Sequence, residues 1–138
     1  MKLDAAKTLI AEVFKRMDAL YQANVFDEWV VVSLQSGRSR ILAYSGPRGE
    51  NYQQRFATDV GPLRSGMKGK QMAIGDFEFT PDGMGTRYDA CLRLGAASYL
   101  ICNHTVESMA QIRQNPNWIE AQKPFVELSE RFRADPLA

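Results

Sequence analysis

The spacing of hydrophobic positions along this chain changes several times, and each change predicts an element. Between residues 3 and 21, Leu3, Ala6, Ile10, Val13, Met17 and Leu20 recur at steps of three and four, and Leu9, Phe14 and Tyr21 widen the stripe. That period places them on one face of an amphipathic helix. The stripe is wider than a two-position coiled-coil seam, so the helix is expected to lie on a sheet. Glu12 and Arg16, one turn apart on its flank, are placed to pair.

After a connector at Asn24–Asp27 the pattern becomes β. Glu28–Leu34 (EWVVVSL) is a β-branched apolar run that suits a central strand. Ser36-Gly37 supplies a turn, and Arg40–Tyr44 returns as the second strand before Ser45-Gly46-Pro47-Arg48-Gly49 breaks it. Tyr52, Phe56, Val60, Leu63 and Met67 then recur at helical spacing over 50–67, with Gly61-Pro62 predicting a kink or two short helices. Ser65–Lys70 reads as a basic loop. Ala73–Thr80 (AIGDFEFT) predicts a third strand with Phe77 and Phe79 on one face and Asp76 and Glu78 on the other.

The stretch Thr86–Thr105 organises the rest. Tyr88, Ala90, Leu92 and Leu94 alternate with Arg87, Asp89, Cys91 and Arg93, the period of a strand with one buried face. Gly95–Ser98 is a small-residue turn, and Tyr99–Cys102 is an apolar run expected to be covered on both faces. With Ala96-Ala97 at the centre of the turn, Leu94 would face Tyr99, Leu92 would face Ile101, and Cys91 would face Cys102. Opposed positions lie about 4.5–5.5 Å apart, so the thiols would be neighbours, expected to stay reduced. The strand is expected to stop at Asn103-His104-Thr105, with Thr105 capping a helix that Met109 and Ile112 anchor. Asn115-Pro116 predicts a restart, Lys123-Pro124 a second bend or restart, Phe125, Leu128 and Phe132 a buried stripe, and Asp135-Pro136 the end of order.

The element order is therefore α-β-β-α-β-β-β-α. It predicts an α+β domain with one five-stranded antiparallel sheet layered with helices. Placing the most apolar strands, first and fifth, in the centre gives the order 2-1-5-4-3, with the third strand at an edge. Residues 1–138 are expected to form one domain, with 116–138 as a C-terminal helical extension.

Composition adds limits. The chain has 138 residues, 45% hydrophobic and 24% charged, with a formal charge of +1, ordinary for a globular domain and without a global pull toward nucleic acid or membrane. The start MKLDAAKTLI lacks a signal-peptide core, and two cysteines without CxxC spacing fit a reducing compartment, so a cytoplasmic location is expected. Charge is uneven: residues 36–70 hold seven basic and two acidic residues, net +5, against ten basic and 14 acidic elsewhere, net −4. A solvated surface explains this, and steering of an acidic partner is the alternative.

Catalytic or metal chemistry finds few carriers. His104 is the only histidine, no acidic cluster accompanies it and Cys102, and a structural or capping role is expected for both. Neither Gly46-Pro47-Arg48-Gly49 nor Gly66-Met67-Lys68-Gly69-Lys70 fits a phosphate-binding loop. Asp76 and Glu78 fit the solvent side of an edge strand. No nucleophile–base–orienter set can be assembled, so the chain is expected to be non-catalytic, without cofactor or metal.

The pattern as a whole resembles the roadblock/LC7 family, within the profilin- and longin-like architecture. The leading helix, the VVVSL and RILAY hairpin, GDFEF, and YDACLRL followed by YLICNHT carry the resemblance over nearly the whole chain. Two features depart from it: the break at Gly61-Pro62, in the helix on which roadblock dimers usually build their interface, and the longer region after Asn115. The resemblance implies a non-catalytic dimeric scaffold or regulator of a small Ras-like GTPase. An open edge at Ala73–Thr80 and the apolar helix stripe beside it nominate Tyr52, Phe56, Val60, Leu63, Asp76, Phe77, Glu78 and Phe79 for a homodimer interface. A small-molecule sensor with a pocket beside the sheet is the alternative.

Overall fold

A computed structural model describes residues 1–21, 28–35, 38–45, 72–81, 87–105 and 118–138. The expectations for the kinked helix over 50–67, the basic loop, the turn at Ser36-Gly37 and the segment 106–117 lie outside these residues. Among the described residues the elements are α1 (Leu3–Tyr21), β1 (Glu28–Gln35), β2 (Arg38–Ser45), β3 (Phe77–Pro81), β4 (Arg87–Arg93), β5 (Ser98–Thr105) and α2 (Trp118–Ala134). The strands form one sheet in the order β2-β1-β5-β4-β3, and every neighbouring pair is antiparallel.

The two most apolar strands adjoin at the centre, and both faces of the sheet are buried there. On one face Trp29, Val31, Ala43, Leu92, Leu100 and Cys102 form a core with the apolar sides of α1 and α2. On the other, Val30, Val32 and Ile101 are buried, with Leu34, Ile41, Cys91 and Tyr99 packed around them. Pairing of Val31 with Ala43 and of Val32 with Ile41 leaves Leu42 without an opposite residue, a bulge in edge strand β2,.

α1 buries Ala6, Leu9, Ile10, Val13, Phe14 and Met17. Leu20 departs from the expected stripe: it is 60% exposed. Arg16 also departs from expectation. Its guanidinium donates to Glu127 of α2 at 2.9 Å, across the helix–helix seam. The hydrogen bond and charge of Glu127 raise the Arg16 pKa, with Glu12 a minor contributor. The pair is exposed, so it adds little stability.

α2 runs through Pro124 as one helix, where a second bend or restart was expected. Proline removes one backbone donor, but Phe125, Leu128 and Phe132, all buried, hold the flanking turns against the sheet and α1. Each such burial contributes roughly 1.5–3 kcal/mol. Order also continues past Asp135-Pro136. The Met1 amine donates to Asp135 Oδ1 and to the Pro136 carbonyl, both at 2.7 Å. Leu137 N donates to Leu94 O at 2.9 Å, and the Leu137 side chain is buried.

The β4–β5 hairpin corrects the expected register by one residue. Leu94 N and Gly95 N both donate to Ser98 O, so the loop is the three residues Gly95-Ala96-Ala97, not four. Leu92 therefore opposes Leu100, Cys91 opposes Ile101, and Cys102 opposes Ala90. A shift of one residue reverses faces: Cys102 joins the helix-side core and Cys91 the opposite cluster. β5 also runs on through Asn103, His104 and Thr105, which pair with Asp89, Tyr88 and Arg87, where the strand was expected to stop.

Two outcomes follow from this packing. Phe132→Ala should lower the unfolding free energy by about 3–5 kcal/mol in urea denaturation; an unchanged midpoint would contradict its burial. Native protein treated with a maleimide should label half-buried Cys91 about tenfold faster than Cys102, and denaturant should make the two equal.

Candidate functional site: the β3 edge and its support

β3 ends the sheet order, pairing with β4 on its inner side. Its bonding phase can be derived from its beginning. Arg93 N donates to Asp76 O at 3.0 Å, so the Asp76 position bonds inward. With the antiparallel period of two, Glu78 and Thr80 do the same, and the peptide groups of Phe77 and Phe79 point away from β4. Pro81 closes the strand and contributes no donor. The edge is therefore short, about four residues of pairing backbone.

The strand begins later than the sequence indicates. Ala73–Asp76 is a turn and β3 starts at Phe77. Gly75 sits at a φ of 92°, a region that glycine enters without steric penalty. Asp76 is thus not a strand residue sharing a face with Glu78. Its Oδ2 accepts from Ala73 N at 3.0 Å and its Oδ1 from Arg133 Nη2 at 3.1 Å. Phe77 turns its ring inward, 5.8 Å from Phe125 of α2, so its side chain serves the core. Glu78 and Phe79 are placed by register opposite Cys91 and Ala90. Tyr52, Phe56, Val60 and Leu63 lie outside the described residues.

Three residues not singled out by the sequence fix this turn. Arg93 donates from Nε to Gly95 O at 3.0 Å, from Nη1 to Met72 O at 2.5 Å and from Nη2 to Ala96 O at 2.9 Å. It thereby ties the approach to β3 to the β4–β5 loop. Buried Ser129 of α2 donates from Oγ to Gly75 O, and Gly75 N donates to Arg93 O at 2.8 Å. The stem of Arg133 lies directly over Gly75, where an added Cβ would clash with its Cγ. One sequence signal was available: Ser129 is a polar residue on the Phe125/Leu128/Phe132 stripe, one turn after Phe125. Gly75-Asp76 inside an apparent strand was a second, since such a glycine marks a bulge or turn.

The thiol of Cys102 is 1% exposed, which places it in the core rather than at a reactive surface. Among the described residues no group of three or more His, Cys, Asp or Glu could hold a metal ion, and no helix is long and apolar enough to cross a membrane.

No family model matches the chain, and no curated protein matches it. Among solved structures it is similar to Myxococcus xanthus MglB. The alignment covers 91% of this chain and 90% of that one, at a TM-score of 0.43 and 11% sequence identity.

Gly75→Ala tests the turn. A side chain at positive φ, forced against Arg133, should cost about 1–3 kcal/mol in denaturant unfolding. Arg133→Gln alone removes only a surface pair and should stay within about 0.5 kcal/mol of the parent.

Proposed function

We propose that this chain is a non-catalytic regulatory scaffold of the roadblock type that self-associates through the β3 edge and binds a small Ras-like GTPase. The observation that carries the reading is the sheet order β2-β1-β5-β4-β3 with α1 and α2 packed on one face, which leaves β3 at the sheet's end. The sequence resemblance rests on the element order α-β-β-α-β-β-β-α, whose middle helix lies outside the described residues. Two β3 edges meeting about a twofold axis would join two sheets into one and make a self-complementary interface. Four residues of backbone on each side are too few for a stable dimer, which typically needs about 800 Å² from each partner. The apolar set Tyr52, Phe56, Val60 and Leu63 is proposed to supply the remaining area. The GTPase would bind the composite surface that pairing creates.

The test begins with mass. Light scattering after gel filtration should give twice 15.5 kDa. Phe79→Pro should shift the protein toward monomer by at least about tenfold in dissociation constant while it remains folded, because position 79 has its amide on the outer side of the ladder. Phe77 is the wrong site for this substitution, since its ring is part of the core. The dimer should then bind a Ras-like GTPase recovered from its native cytosol, with a measurable difference between the GDP and GTP-analogue forms. A parent protein that is monomeric at every concentration would remove the dimer, and with it this reading.

A further inference from the structure

α2 is attached to the beginning of β3 in three ways, each from a different residue. Ser129 Oγ donates to Gly75 O from a buried position. Arg133 Nη2 donates to Asp76 Oδ1 at 3.1 Å, and the Arg133 stem covers the glycine. Phe125, one turn earlier than Ser129, stacks at 5.8 Å on Phe77, the first residue of the strand. Just beyond the helix, Leu137 N donates to Leu94 O at 2.9 Å. A Cβ on Gly95 would meet Leu137 O at 2.5 Å, so the tail also lies tight against the loop that Arg93 holds. The chain on either side of Arg93 is thus gripped from α2 and its tail.

An edge strand has one sheet neighbour and is the element most easily frayed. Before it can pair with another chain, its backbone must already be extended and in phase; otherwise association has to supply the ordering entropy. Here the phase of β3 is set at Gly75 and Asp76, where Gly75 N bonds Arg93 O and Arg93 N bonds Asp76 O. The carbonyl of that same Gly75 is satisfied by Ser129. Removing the hydroxyl leaves a buried acceptor without its donor, a cost that falls on the turn rather than on the sheet's centre.

We propose that α2, through Ser129 and Arg133, holds the β3 edge in its pairing geometry and so regulates self-association: docking of the helix end sets how readily the edge accepts a second copy. This rests on the dimer reading above. The contacts are intramolecular, on the inner side of the ladder, and touch two residues nominated for the interface, Asp76 and Phe77. They therefore act by positioning the strand.

The experiment compares the parent with the double variant Ser129→Ala/Arg133→Gln and with Arg16→Gln, which breaks a different contact of the same helix. Two quantities are read: the dimer dissociation constant by sedimentation equilibrium, and amide hydrogen exchange at Gly75 and Arg93 relative to Val31 in the central strand. The double variant should weaken the dimer about tenfold or more and speed exchange at Gly75 and Arg93 by a similar factor while Val31 stays within about twofold. Arg16→Gln should change neither quantity by more than about twofold. If exchange rises equally at Val31, the variant has lowered global stability and the proposal is overturned. If the dimer is unaffected while the turn exchanges faster, the proposed coupling is overturned and the dimer reading survives. A monomeric parent instead removes the dimer reading itself, so the two failures are separable.

Discussion

The arrangement depends on the ring of Phe125. It contacts Phe14 of α1 with centroids 6.2 Å apart and Phe77 of β3 at 5.8 Å. Phe14 in turn meets Trp29 of β1 edge-on at 6.3 Å. A line of four aromatic residues thus runs from the central strand, through both helices, to the outermost strand. Each ring contributes burial and quadrupolar contact, and together they fix how far α2 stands from each end of the sheet. That spacing brings Ser129 and Arg133 over Gly75, and it gives an otherwise weakly held edge strand a second attachment.

The two ends of the sheet are treated differently. β2 is eight residues long and carries the bulge at Leu42; a bulge increases local twist and disrupts the ladder that a second chain would need. β3 is five residues long, ends in Pro81, and is fixed at its beginning by the glycine turn. One edge is long and irregular, the other short and regular. Orderly pairing is easier on the second, which is why the functional reading places self-association there.

The corrections share a cause. Leu20, the reach of Arg16, the continuation of α2 through Pro124 and the docked residues 135–138 all concern which neighbour a residue finds. A helical stripe shows that Leu20 belongs with Met17, but not whether a neighbour covers it. A proline lowers the local preference for helix by an amount that three buried side chains on the same helix offset. The hairpin is the sharpest case. Gly95-Ala96-Ala97-Ser98 is a turn on any reading, but a loop of three or of four residues differs by a few hydrogen bonds. That choice sent Cys91 and Cys102 to opposite faces.

What the sequence determined by itself was therefore the set of local periods. The apolar positions of α1, the β-branched run of β1, the alternation in β4, the doubly buried run in β5 and the stripe of α2 are each written in a few adjacent residues. Burial of those faces demands an antiparallel sheet with helices laid on it. Tertiary structure decided the register of the β4–β5 hairpin, the conversion of Ala73–Asp76 from strand to turn, and the grip of α2 on that turn. Each of these joins residues far apart in the chain, as Ser129 and Gly75 are at a separation of 54. Their free energy exists only once the core has brought the partners together, so no local pattern can encode them.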